Sequence, residues 1–292
     1  MNQLVLKPHA ASKRTPGGWE KIWRIPSARI SLLFLATVVL LAISSTVYLP
    51  HDPLALNIDA RMQAPSGSHW LGTDFFGRDL LSRMLVGAGV SLRVSLFSVV
   101  FATVLGTLVG TLAGYRGGWT DRSLMVVVDA ILAMPGILLA LVLMMIIGAG
   151  EVGVVLALGL AYAPTVARTV RGTVLSIREK EFIEASSVLG GSDPHIMWRH
   201  VVPNTVGPLT VLCSSLFAQA LLSESALSFL GLGVPPPYPS WGGMLADGRQ
   251  FISQAPWLCL IPGTAITLTL LAINLLGDAL RDCFDPRESE HR

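Results

Sequence analysis

Three stretches of this chain, Ile30–Pro50, Val94–Tyr115 and Leu258–Gly277, run for twenty residues or so without an Asp, Glu, Lys or Arg. A helix rises about 1.5 Å per residue, so about 20 apolar residues cross the roughly 30 Å hydrocarbon core of a bilayer. Each stretch therefore predicts a spanning helix. Ser123–Gly150 contains only Asp129 as a charged residue and is long enough to tilt or bend, with Pro135 as the natural bend point. Val152–Ala167 is shorter but extends through Thr169, and Val201–Leu232 is interrupted by Pro203, Pro208 and Glu224. Open strands and irregular loops cannot satisfy their backbone groups in lipid, so the reading is six helices. Composition agrees: 52% of the 292 residues are hydrophobic, 14% are charged and the mean hydropathy is +0.60. Soluble domains carry about 25% charged residues.

Lys and Arg accumulate on the cytoplasmic side of a membrane, which fixes the direction of the chain. An inward amino terminus leaves only Arg61, Arg78, Arg83, Arg93 and Arg249 of the 21 basic residues outside. Both termini are then cytoplasmic. The predicted divisions are a tail (1–29), a first span (30–50), an outer loop (51–93), a core (94–287) with an inner loop (171–204), and a short tail (288–292). The first span is too long for the apolar part of a signal peptide, and its removal would invert the charge bias, so it is expected to stay.

Several chemistries have no carrier here. Cys213, Cys259 and Cys283 are odd in number and scattered, which excludes a disulfide framework and a zinc ribbon. The six histidines include no HExxH, and no metal ligand set is expected; His69 with Asp74 and Asp79 offers only one imidazole and two carboxylates, a pattern that reads better as a packed cap. A formal charge of +2 is too mild to imply nucleic acid. No Gly-Lys pair occurs, hence no P-loop, and there is no GxSxG turn; the chain itself is expected to bind no cofactor and to be no enzyme.

Function is then sought in the two long loops. In the outer one, the run from Gly77 to Arg83 reads as an amphipathic helix that enters the membrane near Leu85 or lies flat on it. In the inner one, Glu179–Leu189 places Phe182, Ala185 or Ser186, and Leu189 on one helical stripe. Gly190-Gly191 ends that helix, Ser192 or Asp193 can cap another, and Pro194 suits its first turn. The result is a helix–turn–helix facing the cytosol, either a simple connector or a docking surface. Among polar residues within spans, Glu224 lies deepest and could face a water-filled path together with Gln219, Asn274 and Asp129; Asp129 could equally reach the headgroups, and Asn could serve helix contacts.

Glu184-Ala185-Ser186, then Gly190, then Pro203 resembles the EAA motif of ABC-importer permeases across 20 positions. The surrounding Arg199-His200-Val201-Val202-Pro203-Asn204 is similar to the version in the C-type subunits of the dipeptide, oligopeptide and nickel branch. Leu71–Arg83, Ser225–Gly233, Pro235–Leu245 and Asn274–Arg287 agree with it, so the resemblance covers about Ile30 to Arg287. Ser186 in place of the usual second Ala, and Val202 in place of Leu, are small departures. The resemblance implies an all-α, six-helix type I permease in the bacterial inner membrane, a B-type permease as partner, two cytoplasmic ATPases that use ATP and Mg, and an extracytoplasmic solute-binding protein. It assigns ATPase coupling to Glu184, Ala185, Ser186, Gly190, His200 and Pro203. It assigns binding-protein docking to Gly72, Asp74, Gly77, Arg78, Asp79, Trp241 and Gly242. Di- or oligopeptides are the implied cargo, with nickel or a nickel chelate the alternative in the family. A proton-coupled carrier using Asp129 and Glu224 is the alternative outside it.

Overall fold

In the computed structural model of the chain, residues 25–284 are described; most of the predicted 1–29 tail and all of the 288–292 tail lie outside them. Helix α1, Pro26–Ser44, begins on a proline, which loses nothing by lacking an N–H in the first turn. It starts and stops earlier than the 30–50 reading, because residues 45–50 leave the helix in a turn. After a cap built from residues 51–79, α2 runs unbroken from Leu80 to Arg116. Asp79 starts it by accepting the Ser82 backbone N–H at 2.8 Å. The amphipathic run does not lie flat, then: it forms the first turns of the second span. Thirty-seven residues make about 55 Å of helix, more than the hydrocarbon needs, so one end stands clear of it.

The third predicted span is two helices, α3 (Gly118–Leu132) and α4 (Gly136–Ile147), bent by 94° around Pro135. At about 22 and 18 Å, neither half crosses the core alone. Helix α5 (Glu151–Arg178) carries the fourth span well past Thr169, so Arg168, Arg171 and Arg178 belong to a helix and not to the inner loop. That loop holds α6 (Glu181–Val188) and α7 (Asp193–Ile196), followed by a π-helical turn at Met197–Val201. Helix α8 (Val202–Phe229) has Pro203 at its start and passes through Pro208 and Glu224 without a break, where an interrupted span was predicted. Helix α9 (Trp241–Gly248) is short, and α10 (Trp257–Phe284) overruns the predicted sixth span at both ends. Among the described residues five helical segments are long and apolar enough to cross a membrane, or six if the bent pair counts as one.

Lipid tails are as apolar as Leu, so helices in a bilayer associate through close packing more than through burial from water. The main contact follows that rule: Gly106, Gly110 and Gly114, one turn apart on α2, meet Ala163, Val166, Ala167, Val170 and Val174 of α5. This spacing of small residues is legible in the sequence, but its use as a contact stripe is established only by the structure. Val94, Ala102, Val154, Leu158, Leu216 and Leu227 extend the same core. Ion pairs brace it at both ends, Arg93 to Glu151 at 2.6 and 2.9 Å and Arg171 to Asp121 at 2.5 and 2.6 Å. Ile30, Leu33, Leu40, Met145 and Ile146 point outward and more than half exposed, as an apolar solvent permits.

Candidate functional site

The cap at residues 51–79 is folded on its own charges. The Asp74 carboxylate accepts the backbone N–H groups of Phe76 (2.8 Å) and Arg78 (3.0 Å), and its other oxygen accepts Arg78 Nε at 2.6 Å. Arg83 lies 3.4 Å from the same oxygen. Asp79 accepts from Ser82 through Oδ2 and faces His69 Nδ1 at 2.9 Å through Oδ1. Burial pushes the Asp79 carboxyl up, but the bonds from His69 and Ser82 outweigh it and hold the carboxyl below its ordinary range. Asp247 on α9 goes the other way: burial raises it despite the nearby Arg83 and Arg78 guanidiniums. Gly77, at φ +74°, packs its Cα against the Asn57 carbonyl, where no side chain fits.

The structure places the whole proposed docking set inside the fold of this chain. Gly72, Asp74, Gly77, Arg78, Asp79, Trp241 and Gly242 are all buried within this chain. Trp241 donates its indole N–H to the Met84 carbonyl at 3.1 Å, and Gly242 seats α9 directly on the Ser225 backbone. Their charges, hydrogen bonds and small size are used to fold the cap. The cap exposes the apolar Leu56, Ile58, Trp70 and Phe76 beside the polar Asp52, Asp59, Arg61 and Gln63, and Tyr238 and Ile252 stand exposed outside residues 51–79.

The four candidate path residues occupy separate surroundings. Glu224 is fully buried, accepts Ser228 Oγ at 2.8 Å and Ser225 Oγ at 3.4 Å, and has Ser91 and Ser240 as further hydrogen-bonding neighbours. It ties α8 to α2 and to the start of α9. Asp129 is exposed and paired to Arg168 at 2.5 Å. The Gln219 carbonyl accepts from Tyr162, whose hydroxyl also meets Ser223 at 2.8 Å. Asn274 lines a cavity of about 540 Å³ with Pro208, Ser214, Ser215, Asp278 and Arg281.

At the opposite end from the cap, α6 and α7 form the helix–turn–helix read from the sequence. Gly190 turns it at φ +86°, a conformation glycine adopts freely, and the Gly191 N–H closes on the Ser186 carbonyl at 3.0 Å. Ser192 stands at the next N-cap and Pro194 in the first turn. Ile183 and Ile196 anchor the hairpin to the core, and the Tyr115 hydroxyl donates to Asp193 at 3.1 Å. Sequence periodicity placed Phe182, Ala185 or Ser186, and Leu189 on one apolar stripe; the structure buries Ile183 and leaves Phe182 41%, Val188 81% and Leu189 88% exposed. Glu184, Ala185 and Pro203 are exposed as well, and Ser186 and His200 are half-buried. Phe182, Val188 and Leu189 thus form an exposed apolar patch on a hairpin beyond the spans.

A broken-span helical bundle with such a hairpin defines a class, the integral-membrane permeases. Residues 106–290 match the family described as "Binding-protein-dependent transport system inner membrane component", and the chain belongs to it. Relatives include the dipeptide transport system permease protein DppC of Alkalihalophilus pseudofirmus, 40% identical over 89% of this chain and 86% of that one. The glutathione transport system permease protein GsiD of Escherichia coli is 40% identical over 94% and 91%. Among solved structures, the MetNI methionine ABC transporter in an inward-facing conformation superposes with a TM-score of 0.55 at 19% identity, over 68% of this chain and 94% of that one. That likeness gives the fold, the type I ABC-importer permease. The protein is a multi-pass permease subunit of an ATP-driven importer, working with ATPase and solute-binding partners as its family does.

Proposed function

We propose that this chain pairs with a homologous B-type permease in a bacterial inner membrane to form the path for di- or oligopeptides. The observation that carries the reading is end-to-end likeness: relatives named for dipeptide and for glutathione, itself a tripeptide, match about nine-tenths of this chain at 40% identity. Neither is named for nickel, and the buried Glu224 and the ion-paired Asp129 give a proton carrier no open relay. The α6–α7 hairpin is the joint to two cytoplasmic ATPases, which bind ATP and Mg. Phe182, Val188 and Leu189 supply its apolar face, with Glu184, Ala185 and Ser186 beside them, Gly190 as its turn, and His200 and Pro203 at the exit to α8. ATP-driven movement of that joint tilts the spans between inward- and outward-open states. The solute-binding protein lands on the exposed apolar residues of the cap.

The test is uptake of a labelled dipeptide, a labelled pentapeptide and radioactive nickel in cells with the chain, without it, and with Glu184→Lys. Peptide uptake lost in both the deletion and the point variant supports cargo and joint together. Normal peptide uptake in the deletion strain refutes the cargo; normal uptake in the point variant refutes the role of Glu184.

A further inference from the structure

His51 and His69 lie 18 positions apart in the sequence, yet their rings sit 4.7 Å apart, centroid to centroid. Asp79 completes the group: one ligand atom from each of the three residues lies within 4.8 Å of the other two. We propose that His51, His69 and Asp79 form a binding site for a divalent transition metal of the zinc type. Two imidazoles and a carboxylate are the donors that such ions take, in preference to the all-oxygen sets favoured by calcium or magnesium.

The three donors are held in place before any ion arrives. The His51 N–H donates to Ser82 Oγ at 3.1 Å, and its Nε2 faces the Ser68 carbonyl at 2.9 Å. A carbonyl only accepts, so that nitrogen carries the proton and Nδ1 keeps a free lone pair. The His69 backbone is fixed by Ser66 Oγ, whose acceptor bond to the His69 N–H is 3.2 Å, and by the Gly72 N–H at 2.9 Å. Without an ion its Nδ1 bonds Asp79 Oδ1 at 2.9 Å; an ion seated between these two atoms takes that proton's place, and the ring then carries its proton on Nε2. Asp79 is pinned by its bonds to Ser82 at the start of α2. Beside His51 and Asp79 lies a cavity of about 210 Å³, also lined by Ser68 and Trp70, which gives the group access to the surrounding fluid. Three protein donors and an open position describe an exchangeable site, one that loads and unloads from the surrounding fluid.

Occupancy has a mechanical consequence. His51 follows α1, His69 belongs to the turn at the tip of the cap, and Asp79 starts α2, so a bound ion clips together the two helices and the loop between them. On the orientation that places the cap outside, the clip answers to extracytoplasmic metal and stiffens the face offered to the solute-binding protein.

The purified full chain in detergent, stripped with a chelator, would be titrated with Zn²⁺ by calorimetry and its thermal unfolding followed with and without the ion. The wild type is expected to bind one equivalent at this site and to unfold at a higher temperature when loaded. His51→Ala and His69→Ala are expected to weaken that binding at least tenfold and to abolish the thermal shift. His51→Cys, which replaces the imidazole nitrogen by a thiolate that zinc also takes, is expected to retain it. His51 is exposed and its ring makes a single hydrogen bond, so its variants keep the fold. Wild-type binding that is absent, or that survives undiminished in both alanine variants, overturns the proposal. The binding is read without transport, so a failure here leaves the peptide-importer reading untouched, and the converse holds.

Discussion

A methyl group on Gly106 of α2 would lie 2.6 Å from the backbone carbonyl oxygen of Ala163 and 2.5 Å from Val166 Cβ on α5. The two helices are thus in contact at backbone distance, and the carbonyl cannot rotate away without breaking its own helix. Gly106→Ala gains helix propensity of about 1 kcal/mol, but overpacking costs about 1–3 kcal/mol, so the net effect should be a lower unfolding temperature in detergent. Gly172→Ala on α5, where an added methyl meets nothing within 4 Å, should be neutral or stabilising by about 0.5–1 kcal/mol. Equal unfolding temperatures for the two variants would show that α2 and α5 are not packed this closely.

Glu224 supports a second prediction. Its carboxylate is enclosed by serine hydroxyls from three elements, so its removal leaves buried polar groups without their shared partner. Glu224→Leu is expected to destabilise the chain by about 1–3 kcal/mol, whereas Glu224→Gln, which keeps an acceptor at the same reach, loses much less. Thermal unfolding of both variants decides the matter. A leucine variant as stable as wild type would mean that the serines find other partners and that Glu224 does not hold α8 to α9.

Much of this architecture was legible in the residues, and the parts that were not have physical reasons. Apolar run length located every long helix, because bilayer thickness constrains length alone. It misplaced their ends: α2 begins at an Asp79 cap within a run read as a separate amphipathic helix, and α5 continues through Arg168 and Arg171 because Asp129 and Asp121 pair with them. Pro135 marked a bend, but not one of 94°. The hairpin was readable from Gly190 and Pro194, both of which act locally. The buried state of Asp74, Arg78 and Trp241, and the meeting of His51 with His69, depend on chain segments far apart in sequence, and no local pattern encodes them. The Gly106, Gly110 and Gly114 series was a local signal that periodicity in hydropathy passes over, since glycine and alanine both count as unremarkable in an apolar run.

The pair between Arg171 on α5 and Asp121 on α3 is bidentate and only partly exposed, and it holds the first half of the bent span to the core. Either Arg171→Asp or Asp121→Arg should lower stability by about 1 kcal/mol or more, since each puts like charges face to face. The double exchange, Arg171→Asp with Asp121→Arg, should recover part of the loss. A double-mutant cycle on unfolding midpoints with a coupling near zero would demote the contact to an incidental surface pair.

Leu189 gives the prediction closest to function. It stands 88% exposed at the tip of the α6–α7 hairpin, next to Val188 at 81% and one turn from Glu184 and Ala185, although a free leucine at a polar boundary gains nothing by standing there. An apolar tip held rigidly by Ile183 and Ile196 is suited to a groove on a partner, and the aliphatic side chains would be buried only in the assembled transporter. Leu189→Glu therefore should leave unfolding of the isolated chain unchanged within about 0.5 kcal/mol, because the side chain packs on nothing inside it. The same substitution should sharply reduce co-purification of the ATPase subunits and abolish uptake. Retained ATPase association would place the joint elsewhere on the inner face; a large loss of stability in the isolated chain would mean that the hairpin tip is part of the fold and not a surface kept for a partner.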